Sequence, residues 1–175
     1  MKKLWLTLFT SLVFLAGCAS MPQGFSMYPT PLQEGEVIPA NMAVILVGVT
    51  GTSTVNYLQF THSAMPAINA KFSEKGNDII AIAVPVGIKQ LSLSTITLGG
   101  RQNGYLPSGM SYGYVPVRTG KIDIDKPGIY YIATLNTNAP GQFQVSPISS
   151  QIQNFHKAFK ASIGNLEPIN FQWEN

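Results

Sequence analysis

Ser111 sits in Gly109-Met110-Ser111-Tyr112-Gly113, a G-x-S-x-G pattern, and Asp123, Asp125 and His156 follow it in chain order. Those residue types could run nucleophilic acyl transfer. A serine on a tight glycine-flanked turn exposes its hydroxyl, an imidazole takes the proton, and a carboxylate orients the imidazole. The pattern carries that chemistry only when a strand leads into the serine and a helix leaves it. Here Pro107 precedes the motif and a strand-like run with Pro116 follows, so the competing reading is a plain Gly/Tyr/Ser loop. A small serine hydrolase using Ser111 stands as an alternative, and no catalytic residue is assigned.

Metal and phosphate chemistry have weaker candidates. His62 and His156 are the two histidines and Cys18 is the one cysteine, and no ligand spacing recurs. No metal site and no cofactor are expected, and His156 is expected to be a partly buried structural residue. Gly99-Gly100-Arg101-Gln102-Asn103-Gly104 is glycine-rich but lacks the Lys-Ser/Thr ending and the helix of a phosphate loop. Residues 99–114 taken whole are more suggestive. They show no clear element, and they combine Gly, Ser and Asn with Arg101, Tyr105, Tyr112 and Tyr114. Long loops of this kind are often functional, and Tyr with Ser and Gly is the composition of adaptable binding loops. Those four side chains are the candidate partner-binding residues. The other reading is a twisted hairpin extension whose tyrosines pack on the sheet.

Charge narrows the partners further. The chain has eleven Lys and Arg against eight Asp and Glu, a formal net charge of +3. Without Lys2 and Lys3 the balance is nine against eight, a net of +1. The remaining basic residues are scattered, whereas nucleic-acid binding needs a basic stripe, so no nucleic-acid partner is expected.

Residues 1–17 have the order of a secretory signal: Met1-Lys2-Lys3, then the apolar run Leu4 to Leu15. A run of twelve residues is too short to cross a bilayer, which takes about 20. The next residues, Leu15-Ala16-Gly17-Cys18, resemble at every position the lipobox of bacterial lipoproteins. That resemblance implies cleavage between Gly17 and Cys18, and lipid attachment (diacylglycerol, with palmitate-type fatty acids) at Cys18. It also accounts for a lone cysteine in an exported chain. Two or three acyl chains hold a protein to a membrane for practical purposes permanently. Ala19 is not the Asp that commonly retains such proteins at the inner membrane. The resemblance therefore implies the outer membrane of the cell envelope; that the domain faces the periplasm is a further expectation, which the lipobox does not itself imply.

The elements that must position any of these residues are mostly strands. After Cys18, Pro22, Pro29, Pro31 and Pro39 make residues 18–40 a tether, or else an arm in which Phe25, Met27 and Tyr28 pack onto the domain. The domain itself is expected over residues 41–175. Met42 to Val49 is a continuous apolar run, as in a strand buried on both faces. Thr54 to Thr61 alternates, with Val55, Tyr57 and Gln59 on one face and Asn56, Leu58 and Phe60 on the other. Asp78 to Val84, Lys89 to Leu98 and Ile129 to Leu135 read as further strands. Val115-Val117 and Ile122-Ile124 read as a hairpin about Thr119-Gly120, and Lys126-Pro127-Gly128-Ile129 as a type II turn. Ile152, Phe155, Phe159 and Ile163 form one face of an amphipathic helix over about 149–163, capped by Ser149 or Ser150 and stopped at Gly164. That helix is expected to pack on the sandwich rather than lie on a membrane. Ile169, Phe171 and Trp173 alternate as a last short strand.

The sum is a mainly β fold: a small antiparallel β-sandwich, immunoglobulin- or transthyretin-like, with one C-terminal amphipathic helix. Val84-Pro85-Val86-Gly87 followed by Gln90-Leu91-Ser92-Leu93 resembles the turn-then-strand phrases of transthyretin-like and carboxypeptidase-regulatory-like domains. So does Lys121-Ile122-Asp123-Ile124 followed by Pro127-Gly128-Ile129-Tyr130-Tyr131-Ile132. This resemblance implies a fold and no activity. The expected function is a non-enzymatic binding or structural module of the envelope, held by the lipid on Cys18, with another envelope protein as its candidate partner. An accessory subunit of a secretion or assembly complex is the other non-enzymatic alternative.

Overall fold

The computed structural model describes residues 31–63, 68–75, 78–99, 113–139 and 142–173; for residues 68–75, 113 and 114 it describes the backbone alone. Among the described residues eight strands and one helix follow in order: β1 (Met42–Thr50), β2 (Thr54–Thr61), β3 (Ile68–Lys75), β4 (Asp78–Pro85), β5 (Ser92–Gly99), β6 (Gly113–Pro116), β7 (Ile129–Asn136), β8 (Phe143–Gln144) and α1 (Ser149–Ile163). They form two four-stranded sheets, ordered β4-β1-β7-β8 and β3-β2-β5-β6, with the helix packed on the first. The fold is thus mainly β, two sheets and a C-terminal helix, as the patterning requires. All the strand pairs but one are antiparallel; β1 and β7 run parallel.

β1 explains the layering. Ala43, Ile45, Val47 and Val49 face the core between the sheets, while Val44 and Leu46 face the helix. A strand covered on both faces must be apolar along its buried length, and this one is from Met42 to Val49. β7 is covered on both faces too, with a complication. Leu46 pairs with Tyr131 but Val47 pairs with Ala133, so Ile132 is an extra residue, a β-bulge. The bulge lets Tyr130, Ile132, Ala133 and Leu135 all reach the inter-sheet core, while Ile129 and Tyr131 reach the helix side.

A second bulge corrects the expected faces of β2. The register shifts at Asn56 against both β3 and β5. Val55 therefore joins Leu58 and Phe60 in the core instead of lying with Tyr57 and Gln59. The hairpin expected about Thr119-Gly120 does not form. Val115 pairs with Ile96 in β5, and the chain continues alongside the same partner segment: Val117 N–H bonds Ser94, Ile122 bridges Leu91, and Ile124 N–H bonds Ile88. One long edge replaces two short arms. β5 begins at Ser92 rather than Lys89, because Gln90 takes a left-handed conformation with φ 55°. β3 and β8 are additions to the expected strands.

Two further expectations are corrected near the end of the chain. A type II turn requires positive φ at Gly128, and Gly128 is not among the positive-φ glycines. Glycine is needed there for closeness: a Cβ would lie 2.6 Å from the Ile169 side chain and 3.2 Å from the Glu167 carbonyl. Residues 169–173 are not a strand. Ile129 N–H bonds Glu167, Ile169 N–H bonds Ile129, and the Asn170 amide then bonds Tyr131 N–H and C=O at 2.8 and 2.7 Å. A side chain thus takes the place of backbone beside β7.

The helix runs over the expected residues. Ile152, Phe155 and Ile163 are buried on sheet A, the β4-β1-β7-β8 sheet, and Gly164 ends the helix with its N–H on the Lys160 carbonyl. Its N-cap is Ile148, with no side-chain cap, so neither serine caps it. Part of the stretch expected as a tether is packed on the domain: Leu32 is buried, and its N–H bonds the Ala81 carbonyl of β4 at 2.7 Å.

Candidate functional site

The sequence-derived site residues divide sharply. Gly17, Cys18, Arg101, Tyr105, Ser111 and Tyr112 lie outside the described residues, and of Tyr114 only the backbone is described. Tyr114 is in β6 opposite Thr97 of β5, which is opposite Tyr57 of β2. The tyrosine-bearing connection 100–112 therefore joins two neighbouring antiparallel strands, which pair up to Leu98 and Gly113.

The acid and base of the candidate triad are placed apart. Asp123 and Asp125 both hold the Lys89 ammonium, Asp123 at 3.3 Å, and Asp123 also accepts the Gln90 N–H at 2.9 Å. The Gln90 N–H, with help from Lys89, holds the Asp123 carboxyl below the usual carboxylate range. The Asp125 carboxylate, chiefly, raises the Lys89 ammonium above its ordinary value. All three side chains are about half exposed, so the cluster is a solvated ion network that contributes little to stability. Between the two aspartates Ile124 faces the inter-sheet core. His156, by contrast, rides on α1 across the far face of sheet A, where its ring stacks on Trp173 at 4.4 Å. The triad roles of these residues are not brought together. Gly113, the last residue of the G-x-S-x-G pattern, opens β6, so a strand follows the motif where a nucleophile elbow has a helix. Among the described residues, no three of His, Cys, Asp and Glu converge on a point that could hold a metal ion.

The sequence did not signal the polar knot under the helix. The Tyr131 hydroxyl hydrogen-bonds the Thr134 hydroxyl, and Gln151 Nε2 donates to the Val49 carbonyl at 2.9 Å. All three side chains are buried, and Gln151 Oε1 has no partner. Gly48 makes the room: a Cβ there would lie 2.8 Å from Thr134 Oγ1, 2.9 Å from Gln151 Oε1 and 3.1 Å from the Tyr131 hydroxyl. Burial pushes the Tyr131 phenol up to about 12, against a smaller opposing pull from Thr134. Nothing here can attack or protonate a substrate, because the phenol is neutral at physiological pH and sealed from solvent; the knot seats the helix.

Two concavities flank that seat. One, of about 680 Å³, lies between α1 and β4 and is lined by Leu32, Ile79, Phe155 and Phe159 among others. The other, of about 320 Å³, lies by the start of α1 against Thr134, Phe143 and Ile148. No protein-family model, curated protein or solved structure matches this chain.

Proposed function

We propose that this protein is a lipid-anchored, non-enzymatic module of a bacterial cell envelope, attached through Cys18 to the outer membrane and facing the periplasm. The observation that carries the reading is the order of charged start, twelve-residue apolar run and Leu15-Ala16-Gly17-Cys18. Among the described residues no helix is long and apolar enough to cross a membrane. A binding or structural role draws support from the separation of Asp123 and Asp125 from His156, which leaves Ser111 without an assembled acid–base pair. The partner-facing element is the β5–β6 connection with Arg101, Tyr105, Tyr112 and Tyr114, and the partner is another envelope protein.

The test is chemical. Growth on an alkynyl fatty acid labels the native chain, and mass spectrometry finds its N-terminus at residue 18. Cys18→Ser is expected to lose the label and keep residues 1–17. Retained label, or cleavage before residue 18 in the variant, rules the reading out.

A further inference from the structure

The groove between α1 and β4 is apolar inside and acidic at its rim. It holds about 680 Å³, within the range of sites that take a ligand. Leu32, Ile79, Phe155 and Phe159 give it apolar walls, and the rings of Phe155 and Phe159 stack at 4.9 Å. The charged residues that line it are Glu34 and Asp78, both acids and both exposed. Glu36 adds a third carboxylate close by, where it accepts the Gln33 N–H at 2.9 Å. Among the described residues neither Glu34 nor Asp78 has a cation within ion-pair reach; the ion pairs belong to Lys89. The lysines of the helix, Lys157 and Lys160, do not line the groove. A ligand that carries positive charge beside an apolar group complements such a site. The carboxylates orient it, burial of the apolar part holds it, and the half-buried Phe159 ring offers its face to the cation.

One wall of the groove is the edge strand of sheet A, and that favours a peptide over a small amine. The Ala81 carbonyl accepts the Leu32 N–H, so in an antiparallel pair the Ala81 N–H also faces away from β1. Ile79, two residues earlier, turns the same way, and its N–H is taken by the Asp78 carboxylate at 2.7 Å. Among the described residues nothing takes the Ala81 N–H or the Ile79 carbonyl. An extended peptide can bond such an edge while alternate side chains enter the groove beside it.

We propose that this groove docks an extended basic–apolar segment of a partner protein, with Lys or Arg against Glu34 and Asp78 and an apolar side chain between Ile79 and Phe159. Exposed charge pairs and one apolar contact bind weakly, so in the membrane the groove serves a partner that the β5–β6 connection on sheet B already holds. In that role it rests on the reading of the connection as partner-facing. The affinity of the groove itself does not, and it is measured alone.

The experiment presents the full chain, in nanodiscs of zwitterionic lipid, to three arrayed libraries of short peptides. The first library has Leu, Val or Phe at its centre and Lys or Arg on either side. The second has Glu in place of the basic residues, and the third has Ser in place of the apolar ones. The first is expected to retain the protein at least about tenfold better than the other two, and to lose most of its advantage over the second in about 0.5 M salt. Glu34→Gln together with Asp78→Asn should cut that retention about tenfold at an unchanged melting temperature, because asparagine can still accept the Ile79 N–H. Removing residues 101–112 should leave it unchanged, so the groove and the connection fail separately. Retention by no library, or equally by all three, overturns the proposal. Retention indifferent to the double substitution, or lost with residues 101–112, places the peptide elsewhere and overturns it. Displacement by free arginine amide as strong as by the peptides assigns the groove to a small amine, with the same consequence.

Discussion

Gly48 and Tyr131 show how one position can be fixed by its neighbours rather than by its own propensity. Glycine weakens a strand by about 1 kcal/mol relative to alanine, yet Gly48 lies within an apolar strand because three oxygens occupy the space a Cβ would need. One of those oxygens is the Tyr131 phenol, whose charged form the interior excludes. The folded chain holds this proton up to about 12, while the unfolded chain releases it near 10. Below pH 10 both states carry the neutral phenol and the shift costs nothing. Between 10 and 12 the unfolded state binds fewer protons, so stability falls as pH rises, by about 3 kcal/mol at most. Urea unfolding at steps from pH 9 to pH 12 should show this loss in the native chain and its absence in Tyr131→Phe. Equal slopes in the two proteins would place Tyr131 in contact with solvent.

Elements differ in how legible they were from residues alone. β1 and α1 are plain because their patterns are set locally: an unbroken apolar run for a strand covered twice, a spacing of three and four for a helix covered once. The inward faces of β2 and β7 are not, because bulges at Asn56 and Ile132 reverse the alternation, and a bulge is decided by the register of the neighbouring strands. The knot of Tyr131, Thr134 and Gln151 was hidden for a related reason: it joins residues from β7 and α1 over a gap in β1. The candidate loop is legible only as an insertion between β5 and β6, and that placement yields a prediction. Removing residues 101–112 leaves Gly99-Gly100 to connect Leu98 to Gly113, residues already opposite each other. Gly-Gly suits a two-residue hairpin turn. The shortened protein should keep its melting temperature within about 5 °C, because a shorter loop changes closure entropy only slightly. Crosslinking in native membranes should then recover no partner, and unchanged recovery would move the binding surface elsewhere.

On the scale of the whole molecule, the helix is not an accessory to a sandwich that stands without it. β1 and β7 supply both the inter-sheet core and the helix-side core, so unseating α1 exposes the outer face of the strands that hold the sandwich together. Unfolding is therefore expected to be a single transition. The sequence offers a clean way to see this, because Trp5 and Trp173 are the only tryptophans and a chain that begins at residue 19 retains only Trp173. Trp173 stacks on His156 and meets Phe171 edge-on at 5.2 Å, so its fluorescence reports the helix layer, while far-ultraviolet circular dichroism near 215 nm is dominated by the sheets. The two curves should coincide on heating. Phe155→Ala removes a buried ring that packs on Phe159 and the helix-side core, at a cost of about 3–5 kcal/mol. It should lower both midpoints together by roughly 10–20 °C. A fluorescence midpoint that drops while the sheet signal holds would mean that the helix detaches first, and that the two cores, despite their shared strands, are energetically separate.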